Sequence, residues 1–318
     1  MAKRVAGIDC GTNSVRLLVA DLAEPGSSRS GGGPLTDVVR RMEIVRLGEG
    51  VDQTQRLAPA AIERTRLALT DYAAQIRACG AERVRMCATS ATRDAGNAAE
   101  FVTMVEATLG VTPDVLTGAE EARLTFAGAV GGLAGVAPAP YLVVDIGGGS
   151  TEFVRGTGTV ERAVSVDIGC VRMTERHLAG DPPTAAQITA AQRDITAAVD
   201  RALGAVDLPA GAGRPQVTLV GLAGSVTTVA GIALGLDEYQ PALLHHSRIS
   251  YDQVAKVTAE LLAMPVAQRL RVPVMHPGRA DVIGAGALVL RIIMERAAVP
   301  VVVASEHDIL DGICLSLR

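Results

Sequence analysis

Two stretches of this chain, half its length apart, are built on one plan. GIDCGTNSVRLLVA (7–20) and VVDIGGGSTEFV (143–154) each run an apolar strand into an aspartate, then a glycine-rich turn bearing hydroxyls, then a second strand. Asp9 aligns with Asp145, Gly11 with Gly147 and Ser14 with Ser150, at a constant offset of 136 in 318 residues. Such a repeat demands two related domains, each opening on the same strand–turn–strand hairpin. The chain divides on this reading into residues 1–124 and 125–318. Further strands are expected at 37–47, 83–88, near 115, 160–166, 217–221 and 300–304. Helices are expected at 59–78, 94–108, from Gly118, and at 170–179, 184–203, 225–234, 250–263, 279–297 and 308–317. Pro59 opens the first of these helices and Gly80 follows its end, with Ile62, Leu69, Tyr72 and Ile76 along one face. EPGSSRSGGGP (24–34) reads as a flexible hairpin connection. Strands alternating with helices in both halves give an α/β fold with mixed sheets.

Composition narrows the function. Hydrophobic residues make up 48% and charged residues 20%, enough apolar material for substantial cores. Thirty Lys+Arg against 34 Asp+Glu leave −4, with no basic stripe, and aromatics are only 2%. A nucleic-acid surface needs clustered cations or stacking rings, so no nucleic-acid partner is expected. Cys10, Cys79, Cys87, Cys170 and Cys314 are odd in number and never spaced as CxxC, which points to a reducing cytosol rather than to disulfides or structural zinc. Asp9 interrupts the apolar run after Lys3 and Arg4, so no signal peptide opens the sequence. Residues 217–236 carry no charge, but a Gly-rich break divides them; a strand, turn and helix are expected there, and no membrane partner.

The chemistry is concentrated in a few segments. Neither lysine follows a glycine, which excludes a P-loop, and Glu152 stands where a dinucleotide fingerprint needs its third glycine. A glycine turn lets backbone amides line a hollow for an anion, and Thr12, Asn13, Ser14, Ser150 and Thr151 add polar donors. Aspartates at the head of such turns repel phosphate unless a cation intervenes, so Asp9 and Asp145 suggest Mg²⁺ bound largely through water. In TGAEEARLTF (117–126), Thr117 and Glu120 have capping-box spacing, which accounts for Glu120 and leaves Glu121 without a capping role. Glu121 would share a helix face with Thr125 and Gly128, and is either a general base beside a phosphate or a solvated first-turn acid. Arg93, in ATSATRDAGN (88–97), is expected in a first helical turn, where it either helps hold an anion or pairs with a surface acid. Gly224 and Ser225 in VGLAGSVTT (220–228) either line the same cleft or permit close helix–strand packing. His307-Asp308 reads as chance or capping, and His245-His246, being adjacent, do not share a face.

Taken in order, GIDCGTNSVRLL, ATSATR, TGAEEARL, VVDIGGGSTE, VGLAGSVTT and PGRADVI (277–283) resemble the Ppx/GppA family of exopolyphosphatases and guanosine pentaphosphate phosphohydrolases. The resemblance implies two ribonuclease-H-like domains around a cleft, as in the actin, sugar-kinase and heat-shock ATPase superfamily. It implies that Asp9, Asp145 and Glu152 serve Mg²⁺, with Mn²⁺ as a substitute. Gly11 and the hydroxyls of the first turn, with Gly147, Gly148, Gly149, Ser150, Thr151, Gly224 and Ser225, would hold phosphate. Arg93 would contact the substrate, Glu121 would be the base, and Glu152 would assist at the metal. The implied activity is cytoplasmic release of orthophosphate from inorganic polyphosphate by a homodimer resembling the short two-domain members. The rivals are hydrolysis of guanosine pentaphosphate in the stringent response, an ATP-consuming kinase or filament ATPase of the same fold, and a non-hydrolytic alarmone or polyphosphate sensor.

Overall fold

The computed structural model describes residues 3–23, 34–133, 135–208 and 217–318. The expected connection at 24–34 lies, apart from Pro34, outside them. The chain forms two compact units: Met1–Gly132 with Asp308–Arg318, and Leu133–His307.

The first unit opens with β1 (Lys3–Cys10), β2 (Ser14–Leu22) and β3 (Leu35–Ile44), followed by α1 (Val51–Thr54) and α2 (Pro59–Cys79). Then come β4 (Arg83–Ala88), α3 (Ser90–Asp94), α4 (Ala98–Leu109), β5 (Asp114–Val115) and α5 (Gly118–Val130). The C-terminal helix α13 (Ile309–Leu315) returns to this unit. Its sheet runs β3-β2-β1-β4-β5. Hairpin connections make β1, β2 and β3 antiparallel, whereas helical crossovers make β1, β4 and β5 parallel. Alternation along β1 feeds both faces: Ala6, Ile8 and Cys10 pack with Leu69, Tyr72 and Phe101, while Val5 packs with Leu310, Cys314 and Leu317.

Helix α13 decides the unit boundary. The sequence reading gave residues 125–318 to one domain, but the units divide after Gly132 and the last eleven residues group with the first. The apolar side of α13 covers the surface of β1, β2 and β4 that α2 and α4 leave open. It meets α5 backbone to backbone: a Cβ on Gly128 would lie 1.9 Å from the Asp308 carbonyl oxygen, and one on Gly312 1.9 Å from that of Leu124.

In the second unit β6 (Tyr141–Ile146), β7 (Thr151–Gly156) and β8 (Val160–Val166) precede α6 (Cys170–His177) and α7 (Ala185–Ala205). Next are β9 (Thr218–Leu222), α8 (Ala223–Ala233), α9 (Pro241–Leu244) and β10 (Arg248–Ser250). α10 (Tyr251–Ala263), α11 (Val266–Arg269), a 3-10 turn (Pro277–Arg279), α12 (Ile283–Arg296) and β11 (Val301–Ala304) complete it. The sheet runs β10-β11-β9-β6-β7-β8. Without the edge strand β10, this is the order and direction of the first sheet again. Each unit is therefore a ribonuclease-H-like domain. Residues 217–236 resolve into β9 and α8, and no described helix is long and apolar enough to cross a membrane.

Two expectations needed revision. The helix expected at 94–108 begins at Ala98 as α4, with the separate five-residue α3 (Ser90–Asp94) before it; Asn97, just ahead of α4, bonds through its side chain to the backbone of Leu57 (2.8 and 3.1 Å). The helix expected from 279 starts at Ile283, after the 3-10 turn. α1, α9 and α11, at four residues each, are too short to show a period.

Candidate active site

In the second unit β6 and β9 are parallel, with Asp145 in register with Leu222, so both strands release their loops at one edge of the sheet. The carboxyl edge of parallel strands is where ligands of α/β sheets bind. Within the turn, the Gly147 amide donates to the Ser150 carbonyl (3.1 Å). The carbonyls of Gly147, Gly148 and Gly149 are drawn the other way, accepting from Cys170, from Val171 and Arg172, and from Gly169 at 2.9–3.2 Å. The Arg172 Nε adds a bond to the Gly149 carbonyl (2.8 Å). The amides of Gly148 and Gly149 donate to no acceptor among the described residues. Carbonyls pinned on one side and amides presented on the other make a backbone anion nest.

The hydroxyls of this turn do not behave as expected. Thr151 is fully buried and its Oγ1 donates to the Ile168 carbonyl (3.1 Å), while Ser150 Oγ donates to Glu152 Oε1 (2.7 Å). Both protons are used within the fold. Glu152 Oε1 accepts a second bond from Ser165 Oγ (2.7 Å). Asp145 and Glu152 are cross-strand partners, 7% and 1% exposed. Two buried carboxylates side by side, one of them accepting from Ser150 and Ser165, suit a hard divalent cation. No group of three or more His, Cys, Asp or Glu capable of holding a metal occurs among the described residues.

At the same edge, β9 passes into α8 through Ala223, in the left-handed region at φ 66°. The Arg279 guanidinium lies across Gly224: a Cβ there would come within 2.1 Å of Cζ. Gly224 therefore admits a cation from the PGR segment, an assignment the sequence had left undetermined. Ser225 is buried beside Cys170, both side chains lying over Gly286 of α12.

The first unit repeats the turn. The Gly11 amide donates to the Ser14 carbonyl (3.0 Å), and the carbonyls of Thr12 and Asn13 accept from Gly48 (2.8 Å) and from Val45 and Arg46 (3.1 and 2.9 Å). The residue across from Asp9, however, is Arg16, at the position Glu152 occupies in the second hairpin. Arg16 directs Nε (3.0 Å) and Nη2 (2.6 Å) to Asp9 Oδ2, and Nη1 to Asp308 Oδ2. The two aspartates expected to share a metal are therefore unequal: Asp9 already faces a guanidinium, and Asp145 faces a carboxylate. Burial raises the pKa of the Asp9 carboxyl, against the pull of Arg16. Burial acts on Asp308 too, but Arg16, Arg40 and the Leu310 amide together hold it below the ordinary carboxylate range.

β4 and β5 end beside β1, and the next residues carry Arg93 and Glu121. The Thr117–Glu120 capping box forms as expected, the Glu120 amide donating to Thr117 Oγ1 (3.3 Å) and the Thr117 amide to Glu120 Oε2 (2.9 Å). Glu121 turns inward, 8% exposed, but it is not an unpaired acid on an open face. Arg93 Nη1 donates to Glu121 Oε2 (3.0 Å) and to the Leu116 carbonyl (2.9 Å), Thr125 is fully buried, and Gly128 lies under Asp308. Arg93 also sits in the last turn of the five-residue α3, not at the head of a long helix, so no helix terminus assists it.

Two further expectations are settled. The rings of His245 and His246 stack with centroids 3.6 Å apart, and His307 joins at 4.4 Å, so neighbours in sequence do meet. Asp308 is the N-cap of α13, accepting from the Leu310 amide (2.9 Å). All five cysteines are free, and burial pushes the Cys87 and Cys314 thiols up to about 12.

Residues 27–317 match the model of the Ppx/GppA phosphatase family. The chain is 50% identical over 323 aligned residues to exopolyphosphatase 2 of Mycobacterium tuberculosis, covering 99% of this chain and 98% of that one. The crystal structure of an exopolyphosphatase-like protein superposes with a TM-score of 0.91 at 41% identity, over 99% of this chain and 98% of that one. A Ppx/GppA family member from Aquifex aeolicus gives 0.80 at 30% identity, over 100% and 98%.

Proposed function

The chain belongs to the Ppx/GppA phosphatase family, and from that premise we propose that it is an exopolyphosphatase, releasing orthophosphate from the end of inorganic polyphosphate by attack of water. The observation that carries this reading is the turn at 147–149. Its carbonyls are all committed to the start of α6 while two successive amides have no acceptor among the described residues, which is the arrangement a dense phosphate charge requires.

The residues divide the work. Glu121, oriented through Oε2 by Arg93, takes a proton from the attacking water. The water oxygen bonds to the terminal phosphorus, the bridging P–O bond breaks, and the shortened chain leaves with that oxygen and its electron pair. The Gly148 and Gly149 amides, with Arg279 over Gly224, counter charge on the phosphoryl oxygens. Asp145 and Glu152 are the residues that would hold Mg²⁺, whose contribution when bound is neutralisation of phosphate charge. Asp9 stands in the first hairpin as a carboxylate fixed by Arg16. Free cysteines suit the cytosol proposed for it.

The test is orthophosphate release from polyphosphate and from guanosine pentaphosphate, side by side, with Mg²⁺ and with EDTA. Mg²⁺-dependent release that is faster from polyphosphate is expected. Release from guanosine pentaphosphate alone would overturn the substrate assignment, and binding of either without release would make the protein a sensor.

A further inference from the structure

We infer that Arg16 and Asp308 are a positioning pair for this hydrolysis, holding Asp9 through the closing helix; the inference rests on the hydrolytic reading above. Arg16 places two nitrogens on a single oxygen of Asp9, Oδ2, while Oδ1 makes no hydrogen bond among the described residues. A guanidinium has a rigid planar fork, so fixing its third nitrogen fixes the direction of the whole group. Asp308 Oδ2 does this fixing.

Asp308 is itself restrained on three sides. Its Oδ1 accepts from the Leu310 amide, its Oδ2 from Arg16, and its carbonyl rests on Gly128 of α5. The helix carrying Glu121 and the hairpin carrying Asp9 thus share one anchor, 292 residues from Arg16 in sequence. A helix cap alone does not explain the residue, because Asn caps as well as Asp. The charge on Asp308 is what Arg16 requires. In the second hairpin Glu152 stands at the position of Arg16.

The experiment uses the full chain and four variants, Asp308→Asn, Asp308→Ala, Arg16→Lys and Arg16→Met, with kcat, KM for polyphosphate and Tm measured for each. The anchor also bears on the helix that carries the base Glu121, and misplacement of a reacting group by about 1 Å lowers rates by about 10²-fold. Asp308→Asn is expected to keep its cap but to lose the buried pair with Arg16, lowering Tm by a few degrees, with kinetics measured well below that Tm. It is expected to lower kcat about 10–100-fold while leaving KM within about twofold. Arg16→Lys should restore part of the kcat lost in Arg16→Met, because a point charge reaches one carboxylate but not both.

The inference fails if Asp308→Asn and Arg16→Lys both keep kcat within about twofold of wild type. It also fails if kcat falls only in step with Tm across the series, as for a purely structural role. Should Asp308→Ala not fold, Asp308→Asn and Arg16→Lys still decide the matter. A wild-type protein without turnover removes the hydrolytic reading and this inference together, whereas an active wild type with unaffected variants removes this inference alone.

Discussion

Arg93 Nη1 lies 3.0 Å from Glu121 Oε2, joining residues 28 apart that follow two neighbouring strands. The same nitrogen reaches the Leu116 carbonyl, so the guanidinium is held from both ends of the segment that introduces α5. If Arg93 orients the base, the two residues act as a unit. Arg93→Ala is expected to lower kcat about 10–100-fold, and to have little further effect in a Glu121→Gln background, as residues of one unit are non-additive. Steady-state kinetics of both singles and the double variant check this; fully multiplicative losses would separate the two roles.

The carboxylate pair of the second hairpin predicts where the metal requirement resides. Glu152→Gln and Asp145→Asn each remove one charge from buried neighbours on adjacent strands. Apparent Mg²⁺ affinity, read from phosphate release against Mg²⁺ concentration and from Mn²⁺ titration calorimetry, is expected to weaken by about 10–100-fold. An unchanged Mg²⁺ requirement in both variants would place the metal elsewhere.

Gly128 predicts a stability effect. A methyl group there would meet the Asp308 carbonyl oxygen at 1.9 Å, and main-chain atoms cannot yield as a side-chain end does. Gly128→Ala is expected to lose about 1–3 kcal/mol in denaturant unfolding, as overpacked positions do, despite the gain in helix propensity. A stabilised variant would show that α5 and α13 cross less closely.

Asp194 predicts an acid limb. It faces burial, which raises its pKa, but His177 and Arg176, at 2.9 and 3.0 Å, bring it below the ordinary value. A folded-state pKa below the unfolded one adds stability above the unfolded value, about 3.9, and that stability is lost as pH falls through the folded one. The Tm of Asp194→Asn should therefore trail wild type at pH 7, and the two should converge as pH falls through the folded-state value. A deficit independent of pH would mean that packing, not charge, is what the substitution removes.

Features that are local in sequence were legible in it. The duplicated turn is encoded within a few residues, and it closes with the same Gly-to-Ser bond in both copies, Gly11 to Ser14 and Gly147 to Ser150. The Thr117–Glu120 capping box, readable from its spacing, sets Glu120 apart from Glu121. Features resting on distant contacts were not legible. Arg16 reads as an ordinary strand residue until Asp308 arrives beside it, and Gly224 gives no sign of Arg279. The helix expected at 94–108 is present but starts at Ala98, after Asn97 bonds to Leu57, 40 residues earlier. The hydroxyls of Ser150 and Thr151 looked like phosphate donors by type, but their partners Glu152 and Ile168 take both protons.

The most direct measurement is the initial rate of orthophosphate release from polyphosphate in Mg²⁺ by wild type and by Glu121→Gln, with polyphosphate binding followed on the same samples. Loss of a general base lowers the rate about 10²–10⁴-fold, and binding should stay within about twofold. A Glu121→Gln protein that turns over at nearly the wild-type rate would contradict the account.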